Sequence, residues 1–74
     1  MKNDLSSIKT GDSAVVERIA SDGLLNRRLL DLGLVPGTKI TCLYSAPSGD
    51  PRAYLVRGTV IALRKIDAKQ ILLC

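Results

Sequence analysis

Residues 24–37 read LLNRRLLDLGLVPG, and here the strand-like pattern of the chain gives way to a helical one. Leu25, Leu29 and Leu32 recur at the spacing of one helical face. We therefore predict a helix over residues 24–32, with these three leucines packed on the core.

Both ends of this helix carry signals in the sequence. Ser21 or Asp22 would cap its start, because their side-chain oxygens accept backbone N–H bonds. Gly33 suits the left-handed conformation that ends a helix, and Pro36 follows because it cannot continue one. Gly37 fits the position of a type II turn that requires a positive φ. The stretch therefore predicts a helix–turn–strand unit.

Elsewhere, turn signals such as the segment 66–68 separate short runs rich in β-branched residues. We predict five strands, over residues 13–19, 39–44, 52–57, 59–64 and 70–73. Five short strands in 74 residues favour a partly closed barrel, because closure removes exposed edges. The expected fold class is all-β: a small five-stranded β-barrel with one short inserted α-helix, forming a single domain over residues 1–74.

The composition argues against catalysis and against a metal site. The chain has no His, which removes the usual proton shuttle near neutral pH and the commonest transition-metal ligand. Its two cysteines, Cys42 and Cys74, are far apart and form no C-x-x-C pair. The sequence shows no nucleophile with an obvious base and no phosphate-binding loop. We expect no catalytic residue, cofactor or metal site, and we place Cys42 in the core.

The net charge and the low aromatic content indicate which class of partner the chain could bind. The net charge is +4, which suits an acidic protein surface or a nucleic acid, and which also simply keeps a small domain soluble. Barrels that bind single strands stack bases on aromatic side chains, and this chain has two tyrosines and no Phe or Trp. The core is therefore expected to be aliphatic. Nucleic-acid binding remains an alternative, and a protein-binding adaptor is favoured.

The predicted helix offers one set of candidate contacts. An exposed leucine beside arginines is typical of an interface, where Arg is enriched at hot spots. The alternative is that the arginines are merely solvated. The candidates lie off the core-facing leucine stripe: Leu24, Arg27, Arg28 and Leu30.

The loop APSGDP, residues 46–51, offers a second set. Its two prolines fix φ, so the loop is expected to be rigid. It is either a plain hairpin connection or a loop presented for recognition. The candidate contacts are Ser48, Gly49 and Asp50.

Three motifs together resemble one known family. The run RRLLDLGLVPG at residues 27–37 resembles the signature R-R-L-x-x-L-G-[LM]-x-P-G of ferrous iron transport protein A, FeoA. The APSGDP loop resembles that family's A-P-x-G-D-P loop. Gly58 followed by Ala62-Leu63-Arg64 resembles its G-x-x-[LIV]-A-L-R segment. The resemblance covers nearly the whole chain, with the motifs in order.

The resemblance implies an SH3-like barrel that acts as an accessory protein of bacterial ferrous iron uptake. Its expected partner is FeoB, a membrane permease with a cytosolic GTP-binding domain, and the seven candidate residues would dock on it. No apolar run approaches the ~20 residues of a membrane span and no signal peptide is visible, so a cytoplasmic location is expected. A related domain occurs in iron-dependent repressors. A metal-responsive module is therefore a second alternative, although a stand-alone repressor is not expected.

Overall fold

The computed structural model describes residues 3–74. The elements in order are a 3-10 turn (Leu5–Ser7), β1 (Ser13–Ile19), α1 (Gly23–Asp31), β2 (Lys39–Ser45), β3 (Arg52–Val56), β4 (Thr59–Leu63), α2 (Lys65–Ala68) and β5 (Ile71–Leu73). The five predicted strands and the inserted helix are confirmed, with ends that differ by at most one residue. The 3-10 turn and α2 were not predicted. None of the helices within residues 3–74 is long and apolar enough to cross a membrane.

Strand β1 is shared between two parts of one antiparallel sheet, whose strand order is β4-β3-β2-β1-β5. The first half of β1 pairs with β2, with Ser13 opposite Thr41. From Val16 onward β1 pairs with β5, and a register shift lies within that pairing, between Val16 and Arg18. Such an irregularity bends a strand and increases its twist. The sheet therefore curves into the partly closed barrel that the strand count predicted.

The core lies inside this curved sheet and receives side chains from every strand and from both helices. Cys42 is fully buried there, as predicted. Tyr54 is also fully buried, so the expectation of a purely aliphatic core is wrong at this position. The remaining members of the cluster are aliphatic: Leu5, Val16, Leu29, Leu34, Ile40, Val56, Leu63, Ala68, Ile71 and Leu73.

The leucine face of α1 is buried only in part. Leu29 is 1% exposed and Leu25 packs against the core, whereas Leu32 is 38% exposed. The prediction that all three leucines face the core is therefore wrong for Leu32. The helix ends at Asp31, one residue earlier than predicted. The turn that follows carries Leu34 into the core instead.

The start of α1 also differs from the prediction. Asp22 occupies the N-cap position, but its side chain makes no capping hydrogen bond. The Ser21 hydroxyl donates to the Asp22 carbonyl rather than accepting from the helix. The side-chain amide of Asn26 donates to the Ser21 carbonyl at 2.6 Å. The start of α1 is thus stabilised by Asn26, a residue within the helix. The prediction that Ser21 or Asp22 caps the helix with its side chain is wrong.

The end of α1 follows the predicted pattern. Gly33 has a φ of +98°, in the left-handed region that favours glycine. Gly37 has a φ of +89° in a turn closed by the Thr38 N–H, which donates to the Val35 carbonyl at 3.1 Å. Together these two turns connect α1 to β2.

We expect Leu29→Ala to lower the free energy of unfolding by about 2–5 kcal/mol, because it removes a fully buried side chain from the core. The matched control is Leu32→Ala, which should cost less than about 1 kcal/mol at its exposed position. Urea denaturation of both variants measures the difference. Equal losses would contradict this orientation of α1.

Candidate partner-binding site

The outward face of α1 forms a shallow pocket of about 550 Å³. We call it the α1 pocket; its lining residues are Gly23, Leu24, Asn26, Arg27, Leu30 and Asp31. Leu24 is 86% exposed, and Leu30 is also exposed. Exposed aliphatic surface beside a guanidinium has the composition of an interface centre.

Three of the four candidates on the helix share this pocket. Leu24, Arg27 and Leu30 line it, whereas Arg28 is exposed but does not line it. Arg28 lies in the last turn of α1, where a cation interacts favourably with the helix dipole. The structure therefore leaves Arg28 beside the pocket.

The loop between β2 and β3 is tied to α2. The Ser48 hydroxyl donates to the Asp50 carbonyl at 2.9 Å. The Gly49 N–H donates to the Ala46 carbonyl at 2.7 Å. The Asp50 carboxylate accepts the backbone N–H of Lys65, the first residue of α2, at 2.8 Å. That N–H has no acceptor within the helix, so Asp50 caps a helix from 15 positions away in sequence.

The loop candidates and the helix candidates belong to separate pockets. Gly49 lines a pocket of about 250 Å³ that shares no lining residue with the α1 pocket. Ser48 and Asp50 are exposed on the same loop. The structure therefore does not gather the seven predicted residues into one site. The other residues of this second pocket are Ser6, Ser45, Arg52, Tyr54 and Lys65.

Arg52, which was not among the predicted site residues, organises the region around the second pocket. Its guanidinium donates to the Ser6 carbonyl at 3.1 Å and to the Ile8 carbonyl. It also lies 3.0 Å from the Cys42 sulfur and 5.7 Å from the centre of the Tyr54 ring. These contacts join the N-terminal segment to β2 and β3. No local sequence signal marks them, because Ser6 and Arg52 are 46 positions apart.

Tyr54 has an unusual environment for a phenol. Its hydroxyl is buried, and no hydrogen-bond partner for it exists among residues 3–74. Burial raises the pKa of Tyr54 above its ordinary value, and the nearby Arg52 guanidinium opposes that rise. The neutral phenol is therefore the form that the fold favours.

The described thiols and carboxylates are dispersed. Within residues 3–74, no group of three or more His, Cys, Asp or Glu residues is arranged to hold a metal ion. Cys42 is a buried free thiol and Cys74 an exposed one. The ion pair between Arg64 and Asp67 is local to α2.

A family model of the FeoA domain matches residues 3–73. A curated relative from Porphyromonas gingivalis is named as an Fe(2+) transport protein A/Fe(2+) transporter FeoB fusion protein. It is 39% identical over 67 residues, a match that covers 90% of this chain. The chain spans 8% of the length of that relative.

Two solved structures are similar over nearly their whole length. The FeoA-like protein from Clostridium acetobutylicum has a TM-score of 0.91 and 34% identity, over 99% of this chain and 85% of that one. A FeoA from Stenotrophomonas maltophilia, complexed with zinc and described as a prokaryotic SH3 domain protein, has a TM-score of 0.85 and 32% identity. That match covers 100% of this chain and 89% of the other. The predicted SH3-like fold is confirmed.

We expect Asp50→Ala to lower the free energy of unfolding by about 0.5–2 kcal/mol, because the start of α2 loses its acceptor. Asp50→Asn should keep most of the stability, since an amide oxygen also accepts this bond. The control is Asp12→Ala, which removes the same charge at an exposed turn and should change the stability by less than about 0.5 kcal/mol. Equal urea midpoints for Asp50→Ala and Asp12→Ala would refute the capping role.

Tyr54 predicts an alkaline loss of stability. The ordinary pKa of 10.0 holds for the unfolded chain, whereas the folded chain keeps its proton to higher pH. The stability from the buried neutral phenol is therefore complete below pH 10 and is lost as the pH rises through the folded-state pKa. Chemical denaturation at increasing pH should show the wild type losing more stability than Tyr54→Phe. Parallel curves would contradict this environment for the hydroxyl.

Proposed function

The chain belongs to the FeoA domain family, and on that premise we propose that it is a cytoplasmic accessory protein that docks on a FeoB-type permease and modulates transport or its assembly. The family functions in ferrous iron transport. One observation carries the proposal: in the Porphyromonas gingivalis relative, FeoA and FeoB are parts of one fusion protein. A fusion holds two modules at high effective concentration, which favours their association.

The α1 pocket supplies the surface for this docking. Leu24 is almost fully accessible to solvent, so covering it in a complex removes apolar area from water. Arg27 stands at the rim of the same pocket and would meet a carboxylate of the permease. Arg28, next to the pocket, adds to the positive potential. The β2–β3 loop, with Ser48 and Gly49 exposed, is a second and separate contact in this proposal.

The chemistry of the α1 pocket supports binding over catalysis. Its functional side chains are those of Asn26, Arg27 and Asp31, beside two leucines. These offer no nucleophile paired with a general base. A nucleic-acid role has less support: Tyr44 is exposed and Tyr54 is buried, so the two tyrosines do not form a stacking platform.

We expect the double variant Arg27→Glu with Arg28→Glu to bind the permease at least about tenfold more weakly, because it replaces attraction by repulsion. The measurement is titration against the full-length permease in phosphatidylcholine nanodiscs. The control is Lys9→Glu with Lys69→Glu, two exposed positions away from α1. Each substitution changes the charge by two, so both double variants lower the net charge from +4 to zero. Arg28→Glu also places an anion in the last turn of α1, where the helix dipole disfavours it, so the melting temperature of each double variant is measured beside its binding.

A second variant tests the apolar part of the α1 pocket. Leu24→Ser should weaken binding and leave the melting temperature unchanged, because the side chain is exposed in the free protein. The proposal is wrong if the wild-type chain does not bind the permease. Salt-sensitive binding to single-stranded RNA instead would favour the nucleic-acid alternative. A thermal shift with ferrous iron, reversed by a chelator, would favour the metal-responsive alternative.

A further inference from the structure

A second surface lies on the outer side of the sheet, where β2 and β3 run side by side. It is a shallow pocket of about 380 Å³, which we call the β2–β3 pocket. Leu55 contributes exposed apolar surface to it and pairs in register with Val60 of β4, which is 54% exposed. The full lining is Thr38, Lys39, Thr41, Leu55, Arg57 and Gly58.

Both charged residues of this pocket are cations. Lys39 lines the pocket from the start of β2, and Arg57 lines it from the turn after β3. Among residues 3–74, neither Lys39 nor Arg57 forms an ion pair with a carboxylate. The charged side chains that line the pocket are therefore both positive.

Arg57 also has a backbone conformation that suits other residues better. It has a φ of +52°, and Gly58 after it has a φ of +83°, so the turn from β3 to β4 has positive φ at both positions. Asn-Gly is the preferred pair for such a turn, and a left-handed arginine is strained. The side chain of Arg57 runs past the turn after α1: its Cδ would lie 3.5 Å from a Cβ placed on Gly33. Strained residues of this kind cluster at functional sites.

We propose that the β2–β3 pocket binds an acidic segment of the FeoB-type permease. Carboxylates of that segment lie between Lys39 and Arg57, where the guanidinium can engage them in bidentate fashion. An aliphatic side chain of the same segment covers Leu55 and Val60. The apolar floor and the lack of aromatic side chains in the lining distinguish this occupant from a single-stranded nucleic acid, whose bases stack on aromatic side chains. The inference rests on the proposed function and adds a contact surface separate from the α1 pocket.

The test uses Arg57→Asn, alone and with Lys39→Gln. Asn tolerates the left-handed conformation, so Arg57→Asn should keep or raise the melting temperature while it weakens binding. We expect the double variant to bind the permease in phosphatidylcholine nanodiscs about tenfold more weakly than the wild type. The control is Lys9→Gln with Lys69→Gln, which changes the net charge equally, from +4 to +2, and should bind like the wild type. Added salt should weaken wild-type binding more than binding of the double variant.

The outcomes separate this inference from the proposed function. If the wild type binds and the Lys39/Arg57 double variant binds equally well, the β2–β3 pocket is not a contact and the proposed function stands. If the wild type does not bind the permease, both proposals are overturned. If the Lys9/Lys69 control lost the same amount of binding affinity, the effect would be explained by net charge alone. The proposal that the β2–β3 pocket is a contact would then be overturned. The wild type could instead bind single-stranded RNA more tightly than it binds the permease. If the double variant lost that RNA binding, the proposal that an acidic protein segment occupies the pocket would be overturned.

Discussion

The backbone of Val16 connects the β2 side of the sheet, the β5 side of the sheet and the turn after α1. Its N–H donates to the Thr38 carbonyl at 2.9 Å, and its carbonyl accepts the Gly37 N–H at 2.8 Å. At this residue the pairing of β1 changes from β2 to β5. The point where the sheet bends is therefore also the point where the helix–turn–strand unit is anchored. The Val16 side chain is buried, so backbone bonding and core packing coincide here.

The same arrangement links the two proposed surfaces. The turn that ends α1 at Gly33 lies against the stem of Arg57, which borders the β2–β3 pocket. Leu30 and Asp31, at the C-terminal end of the same helix, line the α1 pocket. A partner that engaged both surfaces would pass over this turn. Position 33 favours glycine because of its positive φ, whereas a Cβ there would meet Arg57 and Val56 at ordinary van der Waals distances.

Local patterns predicted most of the fold, because the relevant physics acts over a few residues. The leucine spacing and Gly33 located α1 to within one residue at each end. What the sequence could not show are contacts between distant segments. Asp50 looked like a turn residue or a loop contact, yet its carboxylate caps α2. The 3-10 turn is stabilised partly by Arg52, whose partners lie more than 40 positions away. For the candidate site, the spacing of the leucines predicted which face of α1 is exposed. The sequence did not predict that the candidate residues divide between two pockets.

The position of Cys42 has a consequence for the reactivity of the chain. Its sulfur is fully buried and lies under the Arg52 guanidinium, whereas Cys74 is exposed at the end of β5. An alkylating reagent can reach Cys74 directly, but it reaches Cys42 only after the core around that residue opens. The exposed thiol of Cys74 thus serves as an internal reference for the reactivity of the buried thiol of Cys42. The ratio of their modification rates therefore reports how often the core around Cys42 opens in the native state.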